Sequence, residues 1–151
     1  MKTIARAGLT AGTLDGLDAA IVLGVIGGPG VKRVFQFIAS GVLGTASFQG
    51  GWATAGLGVA LHFTIATGAA TTYYLLSRPL PVLVRKPALC GPIFGLGVFA
   101  FMRYLVVPLS AAPKRPPLTL FGYLNQLVAH TVLVGLSIAL IVARSRSERN
   151  A

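Results

Sequence analysis

The chain has 151 residues, of which 54% are hydrophobic and only 11% are charged. Soluble domains carry about a quarter charged residues, so this composition excludes an ordinary water-soluble domain and indicates a single membrane domain over residues 1–151. The net charge of +10 does not indicate nucleic-acid binding. The basic residues stand in short clusters between apolar runs, as expected for loops that face anionic lipid headgroups.

Four apolar stretches are long enough to supply the roughly 20 residues that a membrane-spanning helix needs. The sequence therefore predicts an all-α, polytopic membrane protein, a four-transmembrane-helix bundle. The predicted spans are about Ala7–Gly27, Gly51–Ser77, Pro87–Ser110 and Leu118–Ala143. Trp52 and the pair Tyr73-Tyr74 lie near span ends, a position typical of aromatic side chains that anchor a helix at the membrane surface.

The segment between the first two spans predicts a further, short helix. Apolar residues recur there at helical spacing with polar residues between them, and glycine-rich turns precede and follow the segment. We expect a short amphipathic interfacial helix at about 31–47, lying at the membrane surface or dipping into it. The apolar positions are Val34, Phe35, Ile38, Val42 and Leu43, and the polar ones are Lys32, Arg33, Gln36 and Ser40.

The basic residues predict the orientation of the bundle. The N-terminus, the middle loop and the C-terminal tail hold eight of them, and the two other loops hold four, so the positive-inside rule places both termini in the cytoplasm. The eight are Lys2, Arg6, Arg78, Arg85, Lys86, Arg144, Arg146 and Arg149, and the four are Lys32, Arg33, Lys114 and Arg115.

Small residues predict how the spans pack. Helix association in lipid relies on close backbone approach, which glycine permits. Two successive GxxxG steps stand in the first span, and glycines or alanines form one face of the second. We expect helix packing, within the chain or between copies of it, at Gly8, Gly12, Gly16, Gly58, Gly91 and Gly95.

The most informative residues are ionisable side chains inside the spans. Asp15 and Asp18 stand in the first span, and a charge near the bilayer centre costs at least about 2.5–3.5 kcal/mol, so such residues face protein and usually mark function. His62 and His130 stand at similar depths in the second and fourth spans. We expect these four side chains to converge near the midplane, with Arg103 nearer the outer face of the membrane, within reach of Asn125 and Gln126.

Several chemistries suit this set of side chains. They could pass protons or ions, hold a divalent metal, or supply two histidine ligands to a haem b. A purely structural alternative is that Asp15, Asp18 and Arg103 form buried ion pairs while each histidine is hydrogen-bonded to a neighbour. The sequence contains no GxSxG, P-loop or HExxH motif, so it assigns no catalytic residue and favours a protein that is not an enzyme.

Part of the sequence resembles a known family. His62-Phe63, Tyr73-Tyr74, Pro81, Gly91 to Gly95, Pro108-Leu109 and His130 resemble the YagU-like family of bacterial inner-membrane proteins, over roughly the last three helices. This chain is shorter and has a smaller first loop. The resemblance implies a multi-pass protein of the bacterial inner (cytoplasmic) membrane, and it carries over no reaction or catalytic residue.

The leading hypothesis from the sequence is a small proton- or ion-transporting, or ion-responsive, membrane protein with Asp15, Asp18, His62 and His130 at its centre. The alternatives are a non-catalytic accessory or assembly subunit of a larger membrane complex and a haem- or metal-binding membrane anchor. The expected partners are the lipid bilayer and either further copies of the chain or a larger membrane complex.

Overall fold

The computed structural model describes residues 1–114 and 118–150, with side chains as far as Ser147. Arg115 and the side chains of Glu148 and Arg149, which enter the sequence analysis, lie outside the described residues. Four helices are long and apolar enough to cross a membrane: α1 (Lys2–Ile26), α3 (Gly51–Leu76), α5 (Pro87–Leu109) and α6 (Leu120–Ser147). Two short helices, α2 (Val31–Leu43) and α4 (Val82–Arg85), complete the regular structure of the described part.

This architecture confirms the predicted all-α membrane bundle of four spans, with a short amphipathic helix between the first two. A 3₁₀ turn, Gly44–Phe48, follows α2. The first span starts five residues before the predicted Ala7, because the helix already begins at Lys2.

Helix α1 occupies the centre of the bundle, between α3 and α6, and α5 packs against the far side of α6. Gly8 of α1 lies against Thr67 and Gly16 lies against His62, so α1 and α3 run antiparallel. Likewise Gly91 of α5 lies against Ala139 and Leu136, so α5 and α6 are antiparallel. The chain therefore crosses up and down, with both termini and the turn around α4 at one end of the bundle and α2 at the other.

The contact between α5 and α6 brings backbone against backbone. A Cβ atom added to Gly135 would collide with the carbonyl oxygen of Gly91, and one added to Gly95 would collide with that of His130. Only glycine allows such an approach, which is how helices associate where lipid removes the hydrophobic driving force. The glycines thus fix the spacing of α5 and α6.

Near the chain termini, α1, α3 and α6 enclose a tight core of small and branched apolar residues: Ala7, Ala11, Ala70, Tyr73, Val134, Ile138, Ala139 and Val142. Tyr73 is fully buried, and its hydroxyl donates to the carbonyl oxygen of Leu83 at 2.9 Å. The interpretation of Tyr73 as a surface anchor is therefore wrong, because its polar end finds a buried backbone acceptor. Trp52 is 73% exposed on the outside of the bundle.

At the opposite end, α2 folds back onto the bundle. Gly28 and Gly30 have φ angles of 93° and 84°, a left-handed backbone that glycine adopts without strain, and they turn the chain after α1. The amide of Gln36, which is almost wholly buried, donates to the carbonyl oxygen of Gly51 at 3.0 Å. Gly58 of α3 packs directly on the backbone of Phe35, so this predicted packing glycine holds α2.

Candidate functional site

The centre of the bundle holds a carboxylate and an imidazole from neighbouring helices. Nδ1 of His62 on α3 lies 4.0 Å from a carboxylate oxygen of Asp15 on α1. The side chain of His62 is only 12% exposed and that of Asp15 is 18% exposed. Asp15 is about 20 Å along α1 from its start and His62 about 17 Å along α3, so both stand near the middle of their spans.

The other ring nitrogen of His62 is already engaged. Nε2 lies 2.8 Å from the carbonyl oxygen of Gly12, one turn before Gly16 on α1. Because a carbonyl oxygen only accepts, Nε2 must carry the proton of this hydrogen bond. Nδ1, the other ring nitrogen, is the one that faces Asp15.

Glycines on α1 make room for the imidazole. A Cβ atom at Gly16 would lie 3.1 Å from Nε2 of His62, and one at Gly12 would lie 2.7 Å from the ring of Phe63. The ring of His62 also packs edge-on against Phe63 and Phe35, with centroids 5.5 and 6.3 Å away. The imidazole is thus held by one hydrogen bond and two aromatic rings, with Nδ1 turned to the carboxylate.

The second aspartate has a different partner. The side-chain amide of Asn125 on α6 donates to Asp18 at 2.8 Å. Asp18 stands about one turn nearer the α2 end than Asp15, and it faces α6 whereas Asp15 faces α3. Residues three apart lie on one side of a helix, yet these two carboxylates have partners on different neighbours of α1.

The second histidine lies apart from this pair. Nδ1 of His130 is hydrogen-bonded to the carbonyl oxygen of Gln126 on its own helix, at 2.9 Å. Its ring packs edge-on against Phe99 of α5, whereas His62 packs against aromatic rings of α2 and α3. The predicted convergence of four side chains is thus resolved into Asp15–His62, Asp18–Asn125 and a separate His130, because the glycine contact with α5 turns this part of α6 toward α5.

Arg103 also lies outside the pairs. Its guanidinium carbon is 5.5 Å from the ring centre of Tyr123 and 5.9 Å from that of Tyr104. Among the described residues, Asp15–His62 is the only pair of opposite ionisable groups within 4.0 Å. The hypothesis of ion pairs between Arg103 and the aspartates is therefore wrong. The guanidinium group lies near two aromatic rings instead, and the faces of such rings attract cations.

The spans are locally widened where these polar residues stand. Backbone hydrogen bonds shift to the i→i+5 pattern over Ala19–Ile26, Met102–Val106 and Ala129–Leu136. Asp18 directly precedes the first stretch, and Arg103 and His130 lie inside the other two. Such wide turns recur at functional sites, because they change which side chains face the bundle interior.

The described residues contain no group of three or more His, Cys, Asp or Glu side chains that could hold a metal ion. The hypothesis of a divalent metal held jointly by the aspartates and histidines does not fit this arrangement. The haem hypothesis stays a prediction, and each histidine already has one ring nitrogen hydrogen-bonded to a backbone carbonyl oxygen.

Two contributors to the site did not follow from the sequence analysis. The carbonyl oxygen of Gly12 orients His62, and Phe35 of α2 covers it. The only available signals were the GxxxG spacing around Gly12 and the apolar face of the α2 segment. Neither reveals which helix supplies a backbone acceptor.

No family model, curated protein or solved structure matches this chain. The resemblance to the YagU-like family therefore stays a prediction. The function must be argued from the geometry of the bundle.

Proposed function

We propose that this multi-pass membrane protein handles protons, as a small transporter of protons or of ions coupled to them, through the pair Asp15–His62. The observation that carries the proposal is the placing of His62: Nε2 is occupied by the carbonyl oxygen of Gly12, and Nδ1 faces Asp15 in the middle of the bundle.

This geometry supports a site that takes up and releases a single proton. One proton added to Nδ1 of His62 or to the carboxylate of Asp15 makes the net charge of the pair zero, and its loss leaves a net negative charge. A low-dielectric interior disfavours an unpaired charge. The polar groups around the pair therefore affect how readily it binds a proton. At 4.0 Å, transfer between the two groups needs an approach of about 1 Å or one bridging water.

The surroundings favour access from the α2 end. Asp18–Asn125 lies about one turn from Asp15 in that direction and offers further polar atoms. In the other direction the bundle closes around Ala11, Ala70 and Ile138, which are fully buried. This asymmetry supports exchange of protons with the side of the membrane that α2 faces.

The membrane and orientation form part of the proposal. We infer the bacterial inner membrane, with both termini in the cytoplasm, from the basic residues at the termini and around α4 and from the resemblance to the YagU-like family. The α2 end would then face the periplasm.

Proton flux into proteoliposomes tests the proposal. Wild-type chain should dissipate an imposed pH gradient, as read by an enclosed pH-sensitive dye, and Asp15→Asn should abolish this flux, because asparagine cannot bind the proton. Asp18→Asn should lower it. Wild-type flux equal to that of empty liposomes, or Asp15→Asn equal to wild type with an unchanged helix content, would overturn the proposal.

A second candidate function, an accessory or assembly subunit, is favoured by a specific feature of α3. Gly56, Ala60, Thr64 and Gly68 recur every four residues on the outside of the bundle, and a Cβ atom at Gly56 or Gly68 would meet nothing. Small residues at this spacing allow a helix of another chain to approach. Purification in a mild detergent separates the readings: a stoichiometric partner protein supports the subunit, and a single monodisperse chain contradicts it.

A further inference from the structure

The end of the bundle that holds the chain termini carries an open cleft between α1 and α6, with a volume of about 760 Å³. Its polar lining is basic and hydroxyl-rich. Lys2, Arg6 and Thr10 come from α1, and Arg144 and Ser145 come from α6.

Helix geometry gathers these side chains. Lys2, Arg6 and Thr10 are spaced four residues apart, so they lie on one face of α1. The hydroxyl groups of Thr3 and Ser145 are hydrogen-bonded to each other at 2.5 Å, which ties the two helices together at the base of the cleft. The lining is therefore a fixed arrangement of two helices.

The cleft concentrates positive charge, and the described side chains supply no counter-ion to it. Among the described residues, no carboxylate lies within 4.0 Å of Lys2, Arg6 or Arg144, and both arginines are exposed. The side chain of Glu148, one turn after Arg144, lies outside the described residues. Like charges gathered in one cleft repel each other, and a bound anion removes that cost.

We propose that this cleft binds a phosphate group, carried by an anionic lipid headgroup or by a free phosphate ion. Two guanidinium groups can each bind phosphate oxygens with paired N–H donors, and the lysine and hydroxyl groups add further donors. The cleft opens where α1 and α6 end, which is the level of the lipid headgroups for helices that cross the membrane. This site is separate from Asp15–His62, and its existence does not depend on proton transport.

The lipid source is tested with the full chain in phosphatidylcholine bilayers that contain spin-labelled phosphatidylglycerol or spin-labelled phosphatidylcholine. Wild type should immobilise the anionic label preferentially. The double variant Arg6→Gln/Arg144→Gln should lower this preference roughly tenfold, because the cleft loses both guanidinium groups and with them its paired donors to a phosphate. The control is Arg85→Gln/Lys86→Gln, which removes the same charge from exposed residues at the same end, outside the cleft, and should keep the preference.

The free-ion source is tested by titrating inorganic phosphate onto the same proteins in pure phosphatidylcholine bilayers and following the arginine side-chain nitrogens by NMR. Binding that the cleft variant alone loses, for either probe, supports the proposal and identifies the source. Equal losses in both double variants would show a general surface-charge effect and overturn it. Failure of wild type to bind either probe would overturn it as well. Circular dichroism confirms that each variant keeps its helices.

Discussion

The half of the bundle near the chain termini is filled with small and branched apolar side chains, whereas the middle and the α2 half carry polar side chains inside. In the first half, Ala7, Ala70 and Val142 are fully buried, and the hydroxyl of Tyr73 ends on a backbone carbonyl oxygen. In the second, Asp15–His62 and Asp18–Asn125 stand between the same helices. The difference teaches that one half sets the geometry and the other carries titratable groups.

The comparison also explains why buried polar groups are tolerated. Polar side chains inside a membrane bundle cost free energy unless they are paired. The close α5–α6 contact and the tight core near the termini hold the helices together without help from those pairs.

The largest expected effect comes from a substitution that disrupts packing in the half of the bundle near the chain termini. Gly135→Leu should destabilise the bundle by about 3 kcal/mol or more, because the new side chain would meet the backbone of α5 and backbone cannot yield as a side chain can. Denaturant unfolding in detergent, followed by circular dichroism, measures the loss. The matched control is Gly97→Leu on α5, where a Cβ atom meets nothing and stability should stay unchanged. Equal stability of the two variants would contradict the account of the packing.

The next largest effect is expected in the half of the bundle that contains α2. Asn125→Leu removes the donor to Asp18 and leaves a partly buried acceptor unpaired, which should cost about 1 kcal/mol and reduce proton flux. Gln126→Leu is the control, because Gln126 accepts from His130 through its backbone carbonyl, which the substitution keeps. Unfolding and flux assays on both variants check this. A larger loss of flux in Gln126→Leu than in Asn125→Leu would count against the role of Asp18–Asn125.

A smaller effect, on stability but not on proton flux, distinguishes the half near the chain termini from the half that contains α2. Tyr73→Phe removes one buried hydrogen bond to Leu83 and should cost about 1 kcal/mol, typical of a hydrogen bond in a membrane bundle. Proton flux should be unchanged, since Tyr73 lies in the core near the termini. Unfolding and flux measured on one preparation test both statements. Loss of flux at unchanged stability would show that this half takes part in proton handling.

The smallest effect is expected for the isolated histidine. His130→Gln should leave proton flux close to the wild-type value, because His130 contacts its own helix and Phe99. The same liposome assay, run beside His62→Gln, checks this. A loss equal to that of His62→Gln would restore the hypothesis of a centre with both histidines.

Much of the fold followed from the sequence, because hydropathy and length determine which segments cross a membrane. The four spans and α2 are read from apolar stretches and helical spacing alone. The start of α1 at Lys2 did not follow, since the polar residues before Ala7 continue the helix without contributing to hydropathy. Likewise Tyr73 looked like a surface anchor, because a single sequence does not reveal a buried carbonyl acceptor on another segment.

The candidate site was predictable in its members and unpredictable in its pairing. The cost of burying charge singled out Asp15, Asp18 and His62, whereas their partners depend on how each helix is rotated. Asp15 and Asp18 turn to different neighbours although only three residues separate them. The wide helical turns at Ala19–Ile26 and Ala129–Leu136 alter that rotation, and no pattern in the sequence predicts them.

The central claim is that Nε2 of His62 keeps its proton while Nδ1 exchanges one with Asp15. The chain has two histidines, so His130→Gln leaves His62 as the only imidazole to observe by ¹⁵N solid-state NMR in lipid bilayers. The account predicts that neutral His62 carries its proton on Nε2, and that the Nδ1 signal changes when Asp15→Asn is added. A neutral His62 with the proton on Nδ1, or an Nδ1 signal that Asp15→Asn does not change, would contradict it.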